Sequence, residues 1–161
     1  MRKILLALAI FLVAGPALAQ RNEVSGFGTW NSLSGSGGTR DHDWDMSYLQ
    51  LNYGYYFDQN FVGTLGWQRL SKMGDKNFDI LDVGVKYYFG TFKQGAFLPF
   101  LEGGIGVYDF NGSDLGYRIG FGGSWMVTDT TSIDPTFNYL STASGDKLNG
   151  HIIGLRITTR F

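Results

Sequence analysis

The segment Asn149–Phe161, N-G-H-I-I-G-L-R-I-T-T-R-F, alternates between two kinds of side chain along most of its length. Its odd positions from Ile153 to Phe161 are mostly apolar, whereas its even positions are small or polar, with Ile152 as the exception. A period of two is typical of a β-strand with one apolar and one polar face. The segment therefore predicts a strand that ends at the last residue, with an aromatic side chain closing its apolar face.

The same phase, with apolar side chains at odd positions, returns in six earlier segments. They are Ser47–Phe57, Phe61–Arg69, Asp79–Phe89, Phe97–Val107, Leu115–Val127 and Ile133–Tyr139. An eighth strand is predicted at Glu23–Asn31, where Val24 and Trp30 share one face and Phe27 lies on the other, so its facing is ambiguous. Eight strands are favoured because closed antiparallel barrels of membranes have an even count.

The predicted connections alternate in length. Those at 58–60, 90–95 and 128–131 are tight, while those at Ser32–Met46, Ser71–Asn77, Asp109–Asp114 and Ser141–Leu148 are longer or more polar. Short turns at one end and long loops at the other are typical of outer-membrane barrels, in which the short turns face the periplasm.

Composition narrows the class of protein. Glycine is 24 of 161 residues, about twice the usual ~7 %, and charged residues are 17 % against a usual ~25 %. There is no cysteine, which excludes disulfides and thiolate chemistry. No basic stripe is present, so nucleic acid is not an expected partner.

The N-terminal residues predict a secretory signal peptide. Arg2 and Lys3 precede an apolar run from Ile4 to Ala14, and Ala17-Leu18-Ala19 is a small-x-small cleavage site. The apolar run is shorter than the roughly 20 residues that a spanning helix needs. We expect residues 1–19 to be removed and residues 20–161 to form one barrel domain.

A membrane barrel is favoured over a soluble β-sandwich, although alternation alone fits both. In hydrocarbon every backbone N–H and C=O needs a partner within the protein, so a spanning sheet must close on itself. Strands of about 9–11 residues suffice to cross, and these segments have about that length. The apolar face is too extensive for one small core, and aromatic residues concentrate at strand ends. These are Phe57, Phe61, Trp67, Tyr87, Phe89, Phe97, Trp125, Tyr139 and Phe161.

Charged side chains fall on the opposite, inward face. They are Asp82, Lys86, Glu102, Arg118, Asp134, Arg156 and Arg160. Because an isolated buried ion costs several kcal/mol, we expect structural ion pairs in the lumen. Glu102 and Arg118 lie on adjacent strands at similar depth, and Arg156 either joins Asp134 or reaches across the lumen. Inward glycines make room for the long side chains.

The strands, the segment F-L-P-F-L-E-G-G-I-G-V-Y (Phe97–Tyr108) and the ending L-R-I-T-T-R-F resemble the small OmpA/OmpX-type outer-membrane β-barrel family. The resemblance implies an eight-stranded barrel with an ion-paired interior in a Gram-negative outer membrane. It also implies that Ile157, Thr159 and Phe161 form the C-terminal signal for the barrel assembly machinery. Larger OmpA relatives carry a peptidoglycan-binding domain after the barrel, which we do not expect here.

Catalytic chemistry is not predicted. Barrels that deacylate lipid A carry a histidine-x-serine-asparagine motif, but His151 is followed by two isoleucines and no acidic residue follows it. His42 lies among Asp41, Asp43 and Asp45 in the first loop, where a solvated acidic tip is favoured over a cation site or a palmitoyltransferase-like site. An amphipathic helix before the barrel, expected of that transferase, has no room. We expect no catalytic, cofactor or metal-binding residues.

The sequence therefore predicts a non-enzymatic integral outer-membrane barrel with a structural or surface-interaction role and a lumen plugged by ion pairs. Its expected partners are outer-membrane lipid and the assembly machinery, with no surface partner identified. Two alternatives stay open, a narrow channel for small solutes and a lipid A-modifying enzyme.

Overall fold

A computed structural model describes residues 22–34, 43–72, 77–109, 113–143 and 149–161 of the chain. It contains eight strands: β1 (Asn22–Ser34), β2 (Asp43–Tyr56), β3 (Phe61–Lys72), β4 (Asn77–Tyr88), β5 (Phe97–Asp109), β6 (Ser113–Met126), β7 (Thr131–Thr142) and β8 (Asn149–Arg160). No helix in these residues is long and apolar enough to span a bilayer. The predicted signal peptide and His42 lie outside the described residues.

The strands form a closed antiparallel barrel, which confirms the predicted fold class. Each strand pairs with the next, and β1 pairs with β8. Starting at Glu23 and moving to the directly facing residue on each successive strand leads to Gly150 on β8. Across the β1–β8 seam, however, Glu23 faces Arg160, so the register is offset by ten residues around the barrel. With about 3.3 Å per residue and about 4.8 Å between strands, this offset tilts the strands by roughly 40° from the barrel axis.

The predicted facing is confirmed for β2 to β8, where even-numbered side chains point inward. On β4, for example, Asp82 is 2 % exposed and Val83 is 54 % exposed. The structure also resolves the facing of β1, which has the opposite phase. Glu23, Phe27 and the serine between them are buried, while Val24 is exposed. This places a carboxylate inside the barrel that the sequence pattern did not identify.

The predicted difference in loop length is wrong. The strands continue further into the hairpins than the alternation indicates, so the connections after β1, β3, β5 and β7 shrink to 35–42, 73–76, 110–112 and 143–148. At the other end, 89–96 is as long as the longest of these. The strands extend because backbone pairing continues through polar residues, which do not alternate: Ser34 still faces Asp43, and Asp109 faces Ser113.

Aromatic rings cover several glycines on neighbouring strands. A side chain at any of five glycines would collide with a ring from another strand or its turn. The pairs are Phe27 with Gly154, Phe57 with Gly63, Phe97 with Gly123, Phe100 with Gly122 and Tyr108 with Gly116. Because glycine has no side chain, the space above it is free, and the aromatic ring occupies that space. Both residue types therefore contribute to packing on the curved wall.

Gly84 tests this close packing, because a Cβ there would strike the Gly103 carbonyl oxygen and lie 3.0 Å from the Gly104 Cα. We expect Gly84→Ala to destabilise the barrel by about 1–3 kcal/mol, the usual cost of overpacking. Gly28→Ala is the matched control, since a Cβ at that strand position meets nothing within 4 Å. Urea titration of folded protein in vesicles measures both, and equal midpoints would contradict the steric argument.

Candidate functional site in the lumen

The lumen is filled in layers along its length. A lower apolar layer lies near the end of the barrel that holds Asn22 and Phe161, here called the terminal end. It consists of Tyr56, Val62, Tyr88, Leu98, Phe100 and Met126. An upper apolar layer lies toward the opposite, loop end and consists of Phe27, Tyr48, Leu70, Ile80, Tyr108, Leu140 and Ile152. Polar and charged side chains occupy the space between and around these layers.

Among the residues that the structure describes, eight acidic and basic side chains are buried in the lumen, each at most 6 % exposed. They are Glu23, Asp82, Lys86, Glu102, Arg118, Asp134, Arg156 and Arg160. Four are acids and four are bases, so the charges balance when all are ionised. Balance matters because a buried charge without a partner is strongly destabilising, whereas a hydrogen-bonded pair is tolerated.

Glu102 lies at the centre of the largest ion-pair network. Arg156 donates to it through both terminal nitrogens, with Nη2–Oε1 2.7 Å and Nη1–Oε2 2.9 Å. Arg118 Nη1 lies 3.0 Å from the same Oε1. Arg118 also donates to Asp82 Oδ2 through Nε at 3.1 Å and Nη2 at 3.0 Å. Arg156 matches both oxygens of Glu102 with two parallel hydrogen bonds, which gives geometric specificity as well as attraction, whereas both bonds from Arg118 to Asp82 converge on Oδ2.

The alternative left open for Arg156 is thereby decided. Although Arg156 faces Asp134 directly in the β7–β8 register, its guanidinium reaches across the lumen to Glu102 on β5. Asp134 accepts hydrogen bonds from the hydroxyls of Ser124 at 2.7 Å and Thr158 at 2.6 Å. The seven charged residues singled out from the sequence are thus all inside, and Asp134 is held by these two hydroxyls.

A second charged cluster lies at the terminal end and depends on Glu23. Lys86 forms an ion pair with Glu23, and Tyr56 and Tyr88 donate to its Oε2 at 2.6 and 3.0 Å. Arg160 donates to the same two hydroxyls at 2.9 and 3.1 Å. The sequence pattern missed Glu23 because β1 carries too few apolar residues to show its phase. The available signal was charge balance, because the seven inward charges identified from the sequence are three acids and four bases.

The outer wall is almost entirely apolar. Among the side chains that the structure describes, Arg69 and Asp79 are the only charged ones on the outward faces of the strands. They pair with each other through two hydrogen bonds of 2.9 and 2.8 Å, near the loop end. The Arg69 guanidinium also lies 5.2 Å from the Trp67 ring centroid. These side chains mark a polar boundary at the upper margin of the apolar wall.

His151 is the one histidine among the residues that the structure describes. His151 is exposed on the outer wall, as expected, with its ring 5.3 Å from those of Phe137 and Tyr139. Within the described ranges, no group of three or more His, Cys, Asp or Glu side chains is placed to hold a metal ion. The arrangement around His151 therefore contributes to an aromatic surface.

The closed barrel, its inward ions and its apolar exterior define the fold of the small eight-stranded outer-membrane β-barrels. No family model and no curated protein matches the sequence. Solved structures do match. Neisserial surface protein A has a TM-score of 0.69 and 14 % identity, over 87 % of this chain and 97 % of that chain.

Two further structures have the same fold. The N-terminal β-barrel domain of Pseudomonas aeruginosa OprF matches with a TM-score of 0.67 and 14 % identity, over 88 % of this chain and 98 % of that chain. Ail, the attachment invasion locus protein of Yersinia pestis, matches with a TM-score of 0.58 and 15 % identity, over 88 % and 99 %. At these identities the similarity establishes the fold alone.

Proposed function

We propose that this protein is a non-enzymatic integral barrel of a Gram-negative outer membrane, with a structural or surface-contact role. The observation that carries the proposal is the inverted distribution of side chains. Large apolar residues such as Leu81 and Ile119 are 57 % and 61 % exposed, while the ions are buried. A continuous apolar wall of this extent far exceeds the patches that soluble monomers expose, so its natural solvent is lipid.

The height of the apolar wall supports a bilayer environment. Along β4 and its turn, ten residues separate Asp79 at the upper boundary from Phe89 at the terminal end. At about 3.3 Å per residue and a tilt of roughly 40°, they span about 25 Å, the height of the apolar band in such barrels. Aromatic residues lie at both margins, as interfacial girdles do. They are Tyr55, Phe57, Tyr87, Phe89, Phe97 and Trp125 below, and Trp67, Tyr117 and Tyr139 above.

The packing inside the lumen supports a barrel that does not conduct. Ion pairs through Glu102 and Glu23 lie in the lumen together with the two apolar layers. An eight-stranded barrel is only wide enough for its own side chains. The narrow-channel alternative would require these paired side chains to rearrange together, at a cost in unpaired buried charge. We therefore favour a structural plug.

Similar structures support the location. Ail is described as an outer membrane protein and its backbone structure was obtained in a phospholipid bilayer nanodisc; that structure matches with a TM-score of 0.51. By analogy we place this barrel in the same membrane, after export directed by residues 1–19. Ile157, Thr159 and Phe161 are proposed to be read by the assembly machinery. Phe161 also closes the barrel, because its N–H donates to the Asn22 carbonyl at 2.9 Å.

Purified protein should enter lipid vesicles, migrate faster on gels before boiling than after it, and show no discrete conductance in planar bilayers. The gel shift is expected because a closed barrel resists detergent until it is heated. The absence of conductance is expected because paired ions block the lumen. Reproducible openings by pure protein would contradict the plug and favour the channel.

Lipid A from cells with and without the gene should have identical masses, and a changed acyl chain would contradict the non-enzymatic role.

A further inference from the structure

The connection between β4 and β5, residues 89–96, folds under the terminal end of the barrel. Phe92 at its tip is half-buried and packs against the lower apolar layer. Its ring centroid lies 4.8 Å from that of Tyr88 and 5.9 Å from that of Tyr56, both edge-to-face. It also lies 4.3 Å from the Arg160 guanidinium carbon. A turn residue thus covers the charged cluster around Glu23 from below.

Two glycines bracket the tip of this connection. Gly90 has a φ of 144° and Gly95 a φ of 78°, and the latter lies in the left-handed region that other residues rarely adopt. Outside the tip, the backbone is anchored to neighbouring strands. Phe89 N–H donates to the Pro99 carbonyl at 2.8 Å, and Gly95 N–H donates to the Met126 carbonyl at 2.8 Å. The four residues 91–94 form a short strap between fixed points.

The strap is held shut by bonds to the two adjacent turns. The Asn60 side-chain amide donates to the Gly90 carbonyl at 2.8 Å. On the other side, the Gln94 N–H donates to Asp129 Oδ1 at 3.2 Å, and its side chain donates to the Val127 carbonyl at 3.4 Å. These donors and acceptors are exposed, so water can replace each bond at little cost. Segments with few buried contacts and exposed hydrogen bonds are the ones that open locally.

We infer that the strap, residues 91–94, is a movable stopper at the terminal end of the lumen. Phe92 is the residue that closes the lumen, Gly90 and Gly95 act as hinges, and Asp129 holds the strap closed as a latch. When it swings out, water reaches the Glu23–Lys86–Arg160 cluster from the terminal end while the ion pairs above stay in place. This inference rests on the proposed membrane barrel and adds where its closed lumen gains access to the aqueous phase. The closure is reversible because the Phe92 ring is only half-buried and the hydrogen bonds that hold residues 91–94 are exposed to water.

Cysteine labelling tests the stopper, because the chain has no cysteine of its own. Ser132 is fully buried, and its hydroxyl accepts a bond from Arg160 at 3.3 Å. The Ser132→Cys protein, the parent for this test, is treated in vesicles with a cationic, membrane-impermeant methanethiosulfonate. We expect the parent to label slowly, and Phe92→Ala to raise the rate by about tenfold or more, since local opening controls access. Asp129→Ala should raise it by a smaller factor through loss of the latch.

Phe89→Ala is the matched control, since Phe89 belongs to the same connection but projects outward, and it should leave the rate unchanged. Phe92→Leu keeps apolar volume without the aromatic face and should label at an intermediate rate. Heat-modifiable gel migration confirms that each variant is a closed barrel. Equal rates for the parent and its Phe92→Ala variant, or parent labelling as fast as exposed Gln59→Cys, would overturn the stopper. Failure of the parent to enter vesicles would instead contradict the proposed membrane role.

Discussion

Replacing Glu102 by alanine should lower the free energy of unfolding by about 3–5 kcal/mol. Glu102 accepts three hydrogen bonds or ion-pair contacts of 2.7–3.0 Å from Arg156 and Arg118. Its removal leaves Arg156 buried without that carboxylate, and an uncompensated buried charge accounts for most of such a loss. Arg118 keeps Asp82 as a partner, so the damage should concentrate at Arg156.

The exposed pair on the outer wall provides the control. Asp79→Ala breaks an ion pair with equally short bonds, but its two side chains are 42 % and 44 % exposed, so the expected cost is only about 0–1 kcal/mol. The double variant Glu102→Ala, Arg156→Ala should recover part of the Glu102→Ala loss, because it also removes the orphaned charge. Urea unfolding in vesicles measures all three. Similar costs for Glu102→Ala and Asp79→Ala would show that the lumen is solvated well enough to screen its ions.

Val83→Arg should destabilise the inserted barrel by about 2–4 kcal/mol, the cost of an arginine near the bilayer midplane of a barrel wall. Val83 is exposed and lies within the apolar wall on β4, with Leu65 and Ile105 facing it on either side. The size of the effect depends on depth and not on packing, because the side chain contacts few protein atoms.

Leu115→Arg is the paired measurement. Leu115 is 65 % exposed, more than Val83, but lies next to the loop end of β6, where the same substitution should cost only ~0–1 kcal/mol. Both variants are unfolded with urea in vesicles of one lipid composition. If Val83→Arg were as mild as Leu115→Arg, the wall would face water, and the membrane proposal would fail.

Alternation was sufficient to predict most of the wall, as β4 illustrates. Asp82, Lys86 and the residues between them follow a strict period of two, so the facing of each side chain is readable without knowledge of its neighbours. The same reading failed where alternation is weak. On β1 glycines and serines conceal the phase, and Glu23 was missed. At the loop ends polar residues pair as strands, and the loops were predicted to be too long.

The sequence by itself determined β2 to β8, their facing and, among the described residues, the identity of every buried ion except Glu23, because these depend on a pattern local to each strand. The eighth strand, β1, was predicted from the even strand count of closed membrane barrels. Only the tertiary structure decided the ten-residue offset at the β1–β8 seam, the pairing of Arg156 with Glu102 and the position of Phe92 under the terminal end of the lumen. Each of these joins residues far apart in the chain, and their distances depend on how the sheet closes. Closure is a property of all eight strands together, so no single segment encodes it.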